Sequence, residues 1–293
     1  MAYYLTCGGE RMDSINRSII IPYMDAYREY LENQDRGADA RPLSNKKEDY
    51  KRGVAQRARE ILNSESWEAS EIGSGSIGDC VYKAVQKHVN LIGRFQVTSF
   101  DSSVKENGSK AEQLLFDFYH EHKEQECFDR ICKMFGKKYD LVAYLYFIYD
   151  PNRYLPLRPS LFDKIFRKIG IPLETSGRCS WENYQEFLNT VAAVRNVMRE
   201  YYQQEDVDLL DAHSFLWTLN QDVLNMPKND TMSVEAATAK EKSVEAGAVV
   251  THKDYGEGTI FKITDKNIYV DFAGKKRIFP SLEAFEKEYL KLV

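Results

Sequence analysis

The chain has little cysteine. Its five residues, Cys7, Cys80, Cys127, Cys132 and Cys179, are odd in number and scattered over 293 positions. That distribution does not describe a disulfide framework, and the sequence predicts reduced thiols. Long apolar runs are missing too: the best, Leu141 to Tyr149, falls well short of the ~18 residues a membrane-spanning helix needs. The opening MAYYLTCGGERMD has no basic region followed by an apolar stretch, so no secretory signal, no membrane partner and a cytoplasmic location are expected. There is no excess of either charge large enough to define a class, since 40 Lys and Arg stand against 45 Asp and Glu for a net charge of −5. With 43% apolar and 29% charged residues, wholesale disorder and collagen-like architectures are excluded. Aromatics are plentiful at 13%, which suits cores and interfaces alike.

One seam divides the chain. Pro227 to Ala246 lacks aromatics, Leu and Ile and mixes small, polar and charged residues, which predicts a linker between a body over 1–226 and a module over 247–293. Helical periodicity dominates the body. Leu114, Leu115, Phe118, Phe128, Ile131, Cys132 and Phe135 recur at three or four within Ser109–Phe135. Asp140–Tyr149 suits a buried helix or a strand, and Ser160 and Ser180 are predicted to cap helices. A last helix is expected near Val207–Leu224. In the first hundred residues the pattern predicts a helix broken at Pro22, a charged helix over Asp49–Leu62, and a strand at Arg94–Asp101. Beyond the linker the period changes to that of strands. Val249–Val250, Thr259–Ile263, Ile268–Phe272 and Arg277–Phe279 are separated by turn residues, and a closing helix is expected over Ser281–Leu290. The fold class expected is a mainly α body with a small SH3-like β-barrel at the C-terminus.

Two resemblances bear on this. The segment Gly247-Ala-Val249-Val-Thr-His252-Lys-Asp-Tyr255-Gly256-Glu-Gly258-Thr-Ile260, with Val270-Asp-Phe272 and Phe279, resembles the SH3- or Tudor-like barrel at the C-terminus of bacterial DNA-repair helicases. The resemblance covers about 45 residues and implies a docking module for protein partners, or for nucleic acid, without catalysis of its own. Gly256 and Gly258 suit a tight turn with positive φ. The chain has no G-x-x-x-x-G-K-[ST] loop, so helicase activity is not implied. Cys179-Ser-Trp181-Glu-Asn-Tyr184 and Asp211-Ala-His213-Ser-Phe215-Leu-Trp217 are weakly similar to uncharacterised bacterial proteins that accompany restriction and defence modules.

Candidate chemistry meets plainer accounts at each site. Gly73-Ser-Gly75-Ser-Ile-Gly78 matches G-x-G-x-x-G and opens a helix whose amides could hold a phosphate, but polar Ser66–Ile72 replaces the buried strand such a site requires. Asp101, Glu121 and Lys123 mimic the carboxylate and lysine set of metal-dependent nucleases. Glu121 and Lys123, however, lie two apart in a helical pattern and point to different faces. Cys127 with Cys132, and His120 with His122, lack the spacing of a metal site. Asp211 and His213 diverge on a helix. No catalytic residue, metal or cofactor is assigned, and the balance leans away from an enzyme.

Charge asymmetry carries more information. Lys133 to Arg178 holds nine basic and four acidic residues, a local +5, so the remainder sums to −10. The basic set is interleaved with Tyr139, Tyr144, Tyr154 and Phe166, a pattern that suits phosphate neutralisation with stacking. Glu205, Asp206, Asp208 and Asp211 could face this patch and neutralise it internally. The sequence therefore predicts a non-enzymatic interaction protein, DNA- or defence-related, that binds nucleic acid or an acidic protein surface. The anionic partner is assigned to Arg153, Arg158, Lys164, Arg167 and Lys168. A protein partner is assigned to the barrel through Tyr255, Phe261 and Tyr269. The alternatives are a metal-dependent nuclease or nucleotide-using enzyme of a defence system, and a viral or host regulator of a defence protein.

Overall fold

The computed structural model describes residues 15–34, 41, 43–221, 223, 224, 247–264, 267–280 and 289–292. The chain divides into two compact units, Met1–Pro227 and Lys228–Val293. The predicted linker and most of the predicted closing helix lie outside the described residues.

The first unit is helical: α1 (Arg17–Glu32), α2 (Tyr50–Leu62), α3 (Ser76–Val85), α4 (Arg94–Asn107), α5 (Ser109–Tyr119), α6 (Glu124–Phe135), α7 (Tyr139–Tyr149), α8 (Pro159–Lys168), α9 (Trp181–Tyr202) and α10 (Leu209–Leu219). Helix α7 is the hub. Tyr139 and every residue from Leu141 to Ile148 are buried, as expected of a helix apolar on all sides. Its backbone and rings meet neighbours on several sides: Tyr119 of α5 donates to Leu145 O at 3.1 Å, and the rings of Tyr146 and Phe118 stand 4.5 Å apart. Among the described residues no helix is long and apolar enough to cross a membrane.

Several local expectations change. Helix α1 runs unbroken through Pro22, because burial of Ile20, Met24, Tyr27 and Leu31 outweighs the one backbone bond that proline removes. Arg94–Asp101 is part of helix α4 and not a strand. Val97, Phe100 and Val104 are its buried residues, and their spacing of three and four is helical. The predicted helix over Ser109–Phe135 is two helices, α5 and α6, turned at His122, whose φ is +56°. Pro159, not Ser160, opens α8, with Arg158 in the cap position, which uses a proline where its missing N–H costs nothing. Ser180 does cap α9, accepting from Asn183 N at 3.2 Å.

Two adjacent residues of α2 tie it to α10. Lys51 is fully buried, its Nζ 2.6 Å from Glu48 Oε2 and 3.1 Å from His213 Nδ1. His213 Nε2 lies 2.9 Å from Pro156 O; a carbonyl only accepts, so Nε2 carries the proton and Nδ1 accepts from the ammonium. His213 is thus a fully enclosed, neutral histidine. Beside it, Arg52 reaches Asp208 Oδ2 at 2.6 Å and Asp211 Oδ1 at 2.7 Å, and Arg41 reaches Asp208 at 3.1 Å and Asp211 at 2.7 Å. Asp208 caps α10 in a reciprocal capping box with Asp211. Burial opposes ionisation of Asp208, yet the Arg52 and Asp211 amide bonds and the two guanidinium charges override it and hold the carboxyl down at about 2.

The second unit is an antiparallel sheet of β1 (Val249–His252), β2 (Gly256–Ile263), β3 (Asn267–Phe272), β4 (Lys275–Pro280) and β5 (Lys291–Leu292). The order β4-β3-β2-β1-β5 leaves β4 and β5 as edges, so the sheet is open. Val250, Ile260, Ile268, Val270, Phe272, Phe279 and Leu290 form its core. Gly256 has a φ of +72°, as the turn requires. Gly258 does not; a Cβ there would lie 2.5 Å from Phe272 Cδ1 and 2.9 Å from Asp271 O. Close approach of β3, not turn geometry, demands that glycine.

The state of His213 sets a pH dependence. Burial and the Lys51 charge keep its pKa well below the ordinary 6.5. Below that value the unfolded chain takes up a proton that the folded chain refuses, so stability falls as pH falls. Urea unfolding between about pH 7.5 and pH 5 is expected to show native stability dropping by up to about 1.4 kcal/mol per pH unit more steeply than His213→Gln. Parallel profiles would contradict a neutral, enclosed imidazole.

Candidate functional site

Helix α8 and its N-cap residue Arg158 carry four of the five predicted anion contacts, and the amphipathic pattern of the helix decides where the other three point. Phe162, Asp163, Ile165 and Phe166 are buried. Arg158, Ser160, Lys164, Arg167 and Lys168 are exposed, the last four sharing one face at helical spacing. Arg167 Nε donates to Asp163 O at 3.3 Å. Lys168 Nζ donates to Leu219 O at 2.9 Å and sits 5.4 Å from the Tyr23 ring centre. None of these four cations has a carboxylate within ion-pair distance among the described residues.

The single carboxylate of α8 faces the other way. Asp163 Oδ1 accepts from Thr175 N and Thr175 Oγ1, each at 2.7 Å, and Oδ2 accepts from Ser176 N at 3.0 Å. Burial opposes its ionisation, but the bonds from Ser176 and Thr175 outweigh that and keep the carboxyl below its usual range. The connection after α8 therefore consumes the one negative charge that would otherwise sit among the cations.

Arg153 departs from the expectation. Its guanidinium is engaged by both oxygens of Glu124, at 2.6 and 2.9 Å, and the Glu124 bond raises its pKa further. A bidentate pair of this kind is committed internally, so Arg153, although exposed, is not among the cations left unpaired. The expected aromatic component also fails, because Tyr139, Tyr144, Tyr154 and Phe166 are all buried. The α8 face is cationic without stacking rings. The acidic group does not cover it either: Asp208 and Asp211 are taken up by Arg41 and Arg52, as described above.

In the sheet, the three predicted contacts split between two places. A bulge between Ile260 and Lys262 puts Phe261 beside Lys262 on the face that also bears Tyr269 and Ile278, the latter two being register partners. Phe261 is 44% exposed and Ile278 61%, and the Phe261 and Tyr269 rings are 6.1 Å apart. Tyr255 lies elsewhere, stacked on His252 at 4.5 Å and 5.6 Å from Phe272, with Arg277 over its ring at 5.0 Å.

The glycine-rich loop is occupied by the protein itself. Glu112 of α5, 2% exposed, accepts from Gly73 N at 2.7 Å and Gly75 N at 3.1 Å through Oε2, and from Gly78 N at 2.8 Å through Oε1. These are the amides that a phosphate would need. Gly73 and Gly75 have φ of +95° and +91°, which turns their N–H groups onto the carboxylate. No pattern in the glycine segment could have located Glu112, because it lies more than thirty positions away.

The nuclease-like set does not assemble. Asp101 pairs with Lys105 at 2.8 Å, and Lys123 with Asp117 at 3.6 Å. Among the described residues no group of three His, Cys, Asp or Glu is placed to hold a metal ion. A cleft of about 690 Å³ lies between the ends of α2 and α7, lined by Arg59, Glu60, Glu65, His122, Tyr149 and Asp150 among others. Its charges are mixed in sign, so it selects no ligand class. Comparison with protein-family models, with curated proteins and with solved structures finds no match for this chain.

Glu112→Gln tests the loop. The substitution replaces one acceptor oxygen with an N–H₂ group that faces amide donors, so a loss of about 1–3 kcal/mol is expected in urea unfolding. An unchanged unfolding midpoint would mean that the carboxylate does not hold the loop.

Proposed function

We propose that the protein is a non-enzymatic interaction protein that binds the phosphate backbone of duplex nucleic acid through Arg158, Lys164, Arg167 and Lys168. One observation carries this: these cations are exposed and unpaired by described carboxylates, while Asp163 of the same helix is turned inward. Ten residues separate Arg158 from Lys168, which is about 15 Å along a helix. One strand of duplex DNA offers a phosphate about every 3.4 Å of axis, so three or four contacts fit that length. Among the described residues this face carries no exposed aromatic, which favours duplex over single-stranded ligands, since the latter need stacking platforms. The remaining charge is net negative, so the contact is local and weak rather than a general affinity for polyanions.

The second unit is an SH3-like module in this account. Its Phe261, Tyr269 and Ile278 face docks a protein partner, an apolar patch rimmed by Lys262 and Lys276. Two weak attachments on one chain reinforce each other through effective concentration.

Fluorescence anisotropy with a labelled duplex tests the α8 assignment. With three or four phosphate contacts, raising salt from about 50 to 200 mM weakens binding by about 40- to 150-fold. Lys164→Glu with Arg167→Glu is expected to abolish binding at low salt, and Lys164→Gln to reduce the salt slope by about 1. Arg153→Gln leaves the slope unchanged. No binding at low salt, or equal binding by the double variant, would overturn the proposal; selective binding of an acidic polypeptide in place of DNA would do the same.

A further inference from the structure

Cys132 and Cys179, distant in sequence, meet in space. Cys132 is buried on α6, and Cys179 stands half-buried on the connection that leads into α9. Their Sγ atoms are 3.6 Å apart, so the two are in contact as free thiols. We propose that this pair is an oxidative modification site that forms a reversible disulfide with a small peroxide as the oxidant.

A disulfide brings the sulfurs to about 2.05 Å, which requires a relative shift of roughly 1.5 Å by subtraction from the contact distance. Helix α6 is fixed in the core by Phe128, Ile131 and Phe135. The other partner has more freedom: residues 171–180 are non-helical, and Gly177 has a φ of +72°. That connection supplies the movement. The other described cysteines offer no such meeting. Cys80 Sγ lies 3.0 Å from Ile61 O, and Cys127 lies near the Arg130 guanidinium at 4.0 Å.

The chemistry is balanced within the pair. Either S–H can donate across the 3.6 Å contact; with Cys179 as the donor, the bond lowers the pKa of Cys132, and the Cys132 thiolate is the nucleophile in the proposed reaction. Attack on peroxide forms an S–O bond and breaks the O–O bond. Hydroxide leaves and takes up a proton as water, and Cys132 becomes a sulfenic acid. The Cys179 sulfur then attacks the Cys132 sulfur. The S–S bond forms, the S–O bond breaks, and a second water departs with the Cys179 proton. Each sulfur gives one electron, and the peroxide takes two. Dithiothreitol reverses the link by exchange.

The consequence is local. Thr175 and Ser176, which hold Asp163 away from the α8 cations, belong to the same connection as Cys179. The oxidised link anchors that connection to α6 and closes a loop of 47 positions, which stabilises the fold by restricting the unfolded chain.

Native full-length protein is treated with hydrogen peroxide, alkylated, digested without reductant and read by mass spectrometry. The expected result is a peptide joined through Cys132 and Cys179 that dithiothreitol dissolves. Alkylation of both cysteines should fall in step, amide exchange over 174–182 should slow, and the melting temperature should rise by several degrees. Cys80→Ser with Cys127→Ser should keep the link, and Cys179→Ser should lose it and let Cys132 pass on to sulfinic acid. The proposal is overturned if the folded native chain leaves both thiols alkylatable, links Cys132 to another cysteine, or forms the joined peptide only after urea unfolding.

Discussion

A carboxylate removed from water costs several kcal/mol unless donors meet it, and that cost organises the helical unit. The buried acids among the described residues are Glu48, Glu112, Asp117, Asp163 and Asp211. Each is met by the protein's own groups: the Lys51 ammonium, three loop amides, the Arg130 guanidinium, the Thr175–Ser176 turn, and the Arg41 and Arg52 pair. In every case the match joins distant or adjacent elements. Glu112 fastens the glycine-rich loop to α5, Asp163 fastens α8 to the approach to α9, and Arg52 and Arg41 fasten α10 to α2 and to the segment before it. For a fully buried ion pair such as Glu48 with Lys51, removing one partner typically costs about 3–5 kcal/mol, because the other charge is then stranded.

The same constraint produces the exposed face. Internal matching exhausts the acids nearest the basic segment and leaves α8's cations with carbonyls, a ring and water. The local excess of +5 over Lys133–Arg178 is therefore unevenly available. Arg153 is spent on Glu124, Arg178 on Glu174, and Lys138 donates to Ser99 Oγ at 2.7 Å. What is left for an outside partner among the described residues is the α8 face, with Lys133 and Lys137 exposed apart from that helix.

Periodicity made the mostly helical body and the four main strands legible. Leu141–Tyr149 and the Trp181–Tyr201 pattern have unmistakable burial, and Ser180 announces its helix by a side-chain cap. The failures share one cause. Local propensity at Pro22 and over Arg94–Asp101 points away from helix, whereas tertiary burial of Met24, Tyr27, Phe100 and Val104 decides the outcome. For the candidate site, α8's cations were visible as a cluster. The internal use of Arg153 was not, because Glu124 lies 29 positions upstream and nothing in spacing pairs them. The aromatics between the basic residues misled for a related reason: composition shows rings and charges together, while helical geometry sends Tyr144 and Phe166 inward and Lys164 outward. Phe261 and Tyr269 share a face as plain alternation places them, each next to one of the core-facing register partners Ile260 and Val270; what alternation does not show is the bulge that brings Lys262 onto the same face.

Lysine footprinting tests the central claim most directly. Acetylation of the native chain, with and without duplex DNA at low salt, reads the accessibility of each ammonium group by mass spectrometry. Matching of the buried acids from within predicts that Lys164 reacts readily in the free protein, is protected by DNA, and recovers when salt is raised. Lys51 stays unreactive throughout. A Lys164 that is already shielded in the free protein, or that reacts equally in the presence of DNA, would contradict the account.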